Sequence, residues 1–128
     1  SNILEPGEFN SLMDLIGFNR GSKWKLIFRG TTDGFGSDRF HSKCDHIPRV
    51  LVIITCTNSY VFGGYTKLGW DQSGQHKDDP NSFLFSFTNP DNKPTKMNYN
   101  GSGKAIFCHA NNGPTFGGGH DLFIATHA

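Results

Sequence analysis

His41, Cys44 and His46 form the cluster in this sequence nearest to a reactive centre. A thiolate is the nucleophilic form of cysteine, and a neighbouring imidazolium stabilises it. On that reading Cys44 is a catalytic thiol that consumes peroxide. The plainer reading makes Cys44 the inward residue of a short helix with both histidines facing solvent, and we favour it. Cys56 and Cys108 fall in strand-like runs and read as core thiols. Oxygen and imidazole donors gather at His76, Asp78 and Asp79, and again at His120 and Asp121. Calcium takes roughly six to eight ligands, and neither group has the spacing of a calcium-binding loop. Both read as solvated loops, so no metal and no cofactor is expected. Gly117-Gly118-Gly119 lacks the Lys-Ser/Thr that follows a phosphate-binding loop. It reads instead as backbone passing under a bulky side chain. Asp33, between Thr32 and Gly34, reads as a turn former whose carboxylate accepts nearby amides.

These residues need elements to hold them. Phe9, Leu12, Met13, Leu15 and Ile16 lie at helical spacing after Pro6-Gly7, and Gly17 supplies a left-handed stop. Trp24, Leu26 and Phe28 alternate with Lys25 and Arg29, which predicts a half-buried strand. A second short helix is expected over Asp38–Cys44, capped by Ser37. Val50 to Ile54 reads as a strand buried on both sides. It pairs with a strand from Tyr60 through a turn at Asn58-Ser59. Gly63-Gly64 predicts a bulge, or a place where another segment packs on bare backbone. Residues 66–81 read as a polar loop with Trp70 as its one large anchor, either partly exposed toward a partner or plugging the open end of the sandwich. Phe83, Phe85 and Phe87 alternate with smaller residues and put three rings on one core face. Weaker strands follow over 94–98, 105–109 and 115–124. The fold class is therefore mostly β (α+β), an antiparallel β-sandwich with two short peripheral helices.

The chain has 128 residues, enough for one domain. With 12 Lys+Arg against 11 Asp+Glu, no basic platform for nucleic acid is available. No apolar run approaches the roughly 20 residues of a membrane span, and no signal peptide is evident. Three cysteines are an odd number without a CxxC pair, which points to reduced thiols in an intracellular, cytoplasmic setting. Sixteen glycines and eleven asparagines imply frequent turns.

Four blocks, in order, resemble the TLDc domain family. They are Trp24 to Gly30 with Asp33-Gly34-Phe35 and Phe40 to Asp45; Val61 to Thr66 with Trp70; Asp79-Pro80 with Phe83 to Ser86; and Gly113 to Leu122. Ser1-Asn2-Ile3-Leu4 is similar to TLDc domains of unicellular eukaryotes. The resemblance covers nearly the whole chain as a single domain, 1–128. TLDc domains usually continue for several strands beyond the segment that resembles Gly117 to Ile124. The last strand is therefore expected at an open sheet edge, where a homodimer or another chain could add a strand.

The resemblance implies a non-enzymatic protein-interaction module linked to oxidative-stress protection and to binding of vacuolar proton-pump subunits. On this reading loops 66–81 and 110–121 face the partner, with Tyr65, Trp70, His76, Asp78, His120 and Asp121 as the contacting residues. Two alternatives come from other classes. One is a thiol-dependent peroxide scavenger using Cys44. The other is a lectin-like glycan binder built on Asn, Asp, Gly and Trp loops.

Overall fold

The computed structural model describes residues 6–21, 23–33, 36–55, 60–88, 93–98, 101, 103–108, 112–117 and 122–125. Helix α1 (Pro6–Ile16) opens them. Proline tolerates the first helical turn because its missing N–H has no partner there. Leu12, Met13 and Ile16 are buried along one stripe. Gly17 closes the helix at φ +82°, and the Gly17 and Phe18 N–H groups both donate to the Met13 carbonyl at 2.9 Å.

The strand expected over 24–29 does not form. This stretch pairs with no sheet, and Leu26 is 60% exposed. Ile27 and Phe28, which are neighbours in sequence, both pack on the core. The Arg29 N–H donates to the Asp33 carboxylate at 2.8 Å, while the Asp33 N–H returns to the Arg29 carbonyl at 2.7 Å. Asp33 is thus the local backbone acceptor anticipated above. It closes a one-turn helix, α2 (Gly30–Asp33), and removes a donor that a ladder would need. Helix α3 (Ser37–Cys44) follows with Gly36 at its N-cap and no side-chain cap bond. Ser37 lies inside the helix rather than capping it.

The strands are β1 (Val50–Thr55), β2 (Val61–Thr66), β3 (His76–Lys77), β4 (Phe83–Thr88), β5 (Thr95–Asn98), β6 (Ile106–Phe107), β7 (Asn112–Phe116) and β8 (Leu122–Ala125). Among the described residues they make two four-stranded antiparallel sheets, ordered β1-β2-β4-β5 and β3-β6-β7-β8. The β1–β2 hairpin is present, with Thr55 opposite Val61; its turn at Asn58-Ser59 lies outside the described residues, as does Cys56. The expected strand over 115–124 is two strands joined as a hairpin, with Phe116 opposite Leu122.

The first sheet is a middle layer. Val61, Tyr65, Phe83 and Phe85, with Leu51, Ile53 and Phe87 beside them, pack against Leu12, Met13 and Ile16 of α1. Val50, Val52 and Leu84 turn the other way, toward Ile106 and Phe116 of the second sheet and Phe40 of α3. So the rings at 83, 85 and 87 lie under a helix rather than between the sheets. Period-2 spacing says that three rings share a face, not which neighbour covers it. β1 uses both faces as expected, yet it stands at a sheet edge and most of it is half-buried.

Gly64 explains how close the two sheets come. A Cβ there would meet the Phe116 ring at 2.8 Å and Leu84 Cδ2 at 2.9 Å. Another segment does pack on bare backbone here; the irregularity in register falls earlier, between Val61 and Phe62.

Candidate functional site

Chain segments converge on Trp70. Its side chain is 0% exposed, its indole N–H donates to the Thr115 carbonyl at 3.3 Å, and its ring meets Phe40 and Phe116 edge-on. The Trp70 carbonyl accepts the His46 N–H at 2.9 Å, and the Lys67 carbonyl accepts that of Arg49 at 3.1 Å. These bonds fasten the loop after β2 to the turn between α3 and β1. That turn holds His46 and Arg49 at positive φ, 63° and 59°.

Asp79 fastens the other end. It is 1% exposed. Its Oδ2 accepts the Thr66 hydroxyl at 2.9 Å and the Lys67 N–H at 2.6 Å, and its Oδ1 accepts the Asn81 N–H at 3.0 Å. Its carbonyl accepts the Ser82 N–H and hydroxyl. A buried carboxylate with this many donors is a clamp, because without them its own oxygens would be desolvated and unpartnered. Between the two anchors, the Lys77 ammonium donates to the Gly69 carbonyl at 2.7 Å and to Asp71 at 2.9 Å. Burial pushes the Asp71 carboxyl up, but bonds from the Ser73 side chain and backbone and from Lys77 outweigh it. Asp71 therefore sits well below the usual carboxylate range.

The loop expected to face a partner is thus held inward at several points. Trp70, at 0% exposure, does not present its ring to solvent, and Tyr65, at 7%, shows only a small part of its side chain. A buried indole offers no platform for stacking a sugar, which removes the main support for the lectin-like alternative. Asp78 is exposed and His76 half-buried on β3. His120 and Asp121 lie outside the described residues.

Cys44 is 2% exposed, and burial, aided by the charges of Asp45 and Asp33, pushes its thiol up to about 12. This is the reverse of a nucleophilic cysteine. Burial likewise pushes the Cys108 thiol up to about 11. The expectation that both neighbouring histidines face solvent holds for His46 only. His41 is 3% exposed, with Nδ1 2.6 Å from Asp45 Oδ1, and Asp45 also accepts from the Gln72 amide at 3.3 Å. The short helix places His41 and Cys44 on the same buried face. No cluster of metal-ligating side chains occurs among the described residues.

The open feature lies elsewhere, at the C-terminal end of α1. A groove of about 520 Å³ is lined by Ile16, Phe18, Tyr65, Lys67, Phe83 and Lys96, together with Pro80, Asn81, Ser82 and Asn98. Tyr65 and Phe83 stack at 5.3 Å, Phe18 stands edge-on to both, and Lys96 Nζ lies 4.5 Å above the Phe83 ring. Burial pushes the Tyr65 phenol up, with Asp79 adding to the effect and Arg49 opposing it. Sequence reasoning singled out neither lysine. Lys67 and Lys96 are 29 positions apart in the chain, and only the β2–β4–β5 pairing brings them to one groove.

This architecture defines a β-sandwich domain whose middle sheet is covered by an N-terminal helix, and the chain belongs to the TLDc domain family, whose model matches residues 1–127. Among curated proteins it is similar to the MTOR-associated protein MEAK7 of Mus musculus, 27% identical over 94 residues, covering 64% of this chain and 20% of that protein. The protein of the same name from Gallus gallus is 33% identical over 67 residues, covering 50% and 14%. That of Danio rerio is 25% identical over 75 residues, covering 59% and 17%. The chain therefore spans a fifth or less of the length of these relatives.

Proposed function

We propose that this chain is a non-enzymatic protein-interaction module of the TLDc type. One observation carries the reading: the most chemically suggestive side chains that the structure describes in its motifs are buried and used internally. Asp79, Thr66 and Trp70 hold a loop in place, and the Cys44 and Cys108 thiols are buried and disfavour the thiolate. Residues used this way build a rigid platform, and a platform acts through what its surface meets.

The family resemblance supports vacuolar proton-pump subunits as the partner and oxidative-stress protection as the outcome. The name of these relatives, MTOR-associated protein, supports partnership with a protein assembly. No described helix is long and apolar enough to cross a membrane, and the free thiols support a cytoplasmic setting. In this reading residues 1–128 act as one domain. β8, outermost in its sheet among the described residues, is where a homodimer would form by strand addition.

The test is binding of the purified chain to recombinant pump subunits and to an mTOR-containing assembly, followed by biolayer interferometry. Saturable binding to either one is the expected result. Failure to bind both, together with peroxide turnover that disappears in Cys44→Ser, would overturn the proposal.

A further inference from the structure

We propose that the groove at the end of α1 receives an acidic linear segment of a protein partner. An apolar side chain of that segment packs against Phe18, and its carboxylates pair with Lys67 and Lys96. This rests on the interaction-module reading and adds the surface and the chemistry of what it binds.

Charge complementarity is the first argument. Among the described residues the groove wall carries two lysines and no carboxylate. Among the described residues neither lysine has a carboxylate within ion-pair distance, whereas Arg20, Lys43 and Lys77 each do. Asp79 lies behind the wall, but it is buried and both its oxygens accept hydrogen bonds from the chain. Arg49 does not line the groove, but its positive charge acts on the Tyr65 phenol in the groove wall.

Shape is the second. A volume of about 520 Å³ falls within the ordinary range of ligand sites, and a lining of aromatic rings together with polar groups suits a side chain flanked by backbone. Half-buried Phe18 and, 5.7 Å beyond it, the 37%-exposed Trp24 extend the apolar wall outward. Asn81 and Asn98 in the lining offer amides to an extended main chain. An anionic membrane fits less well, since surfaces that read lipid headgroups usually cluster about four to eight basic residues on an exposed face.

The experiment uses the full chain and a short fluorescein-labelled peptide with glutamates on both sides of one phenylalanine. Controls are the same peptide with lysine for glutamate, the same peptide with alanine for phenylalanine, and phosphatidylserine vesicles. Expected is binding that weakens with salt, with amide NMR shifts at Lys67, Asn81, Lys96 and Asn98. Lys67→Glu and Lys96→Glu should each weaken it about fivefold, and the alanine peptide about tenfold. Lys67→Gln and Lys96→Gln serve as milder variants, and unchanged thermal midpoints report intact folding. Binding indifferent to all four substitutions, or vesicle binding through these lysines without peptide binding, overturns the proposal. If pump subunits or the mTOR assembly bind the wild type and the double charge reversal equally, the groove assignment fails and the module reading stands. If neither assembly binds, but the peptide does with these sensitivities, the groove assignment holds and the named partners are wrong.

Discussion

Asp79 is the residue on which most local order depends. Its buried carboxylate accepts from Thr66, Lys67 and Asn81. Asp79→Ala removes the acceptor of the Lys67 and Asn81 N–H groups and leaves the Thr66 hydroxyl only the Leu68 carbonyl, so it should destabilise the chain by about 1–3 kcal/mol, measured by urea unfolding. Asp79→Asn keeps one acceptor and should lose less. The opposite order would mean that the carboxylate is a burden rather than a clamp. Cys44 yields a second prediction at this scale. With its thiol pushed up by burial, the thiolate is a very minor form near neutral pH. Iodoacetamide should therefore label Cys44 slowly in the native chain and readily in denaturant, as read by mass spectrometry. Fast labelling of the native chain would restore the catalytic-thiol reading. Part of Asp79's role is legible locally, because an aspartate before Pro80 favours a turn and bonds the N–H two residues on. Its bonds to residues 66 and 67 depend on the loop's return, which no local pattern encodes.

Among the elements, the β2–β7 contact decides how closely the sheets pack. Gly64→Ala drives a Cβ into Phe116 and Leu84, and overpacking of this kind costs about 1–3 kcal/mol. Phe116→Leu vacates part of the space. The double variant should thus lose less than the sum of the singles, a non-additivity that a double-mutant cycle measures directly. Additive losses would place Phe116 away from Gly64 in solution. The helix α1 and the hairpin β1–β2 follow from periodicity and turn chemistry alone. The failed strand over 24–29 shows the limit: alternation proposes a strand, but a strand exists only where an edge receives it, and Asp33 captures the Arg29 N–H first.

For the molecule as a whole, stability should carry an acid-sensitive component through Asp71. Its folded carboxyl titrates below the unfolded value of about 3.9, so the ionised form favours folding. That contribution is complete above the unfolded value and is lost as pH falls through it toward the folded one. The gap in urea midpoint between wild type and Asp71→Asn should be largest near pH 6 and shrink toward about pH 2. A gap independent of pH would assign the loss to packing.

By itself the sequence determined the family, the mostly β composition, α1 with its glycine stop, and the pairing of β1 with β2. Each depends on patterns that span a few residues or on motifs read in order. Tertiary structure alone decided that the rings of β4 lie beneath α1, that Trp70 and His41 are buried, and that Lys67 and Lys96 share a groove. The reason is physical: spacing along a chain states which residues share a face, whereas burial depends on which distant segment comes to cover it.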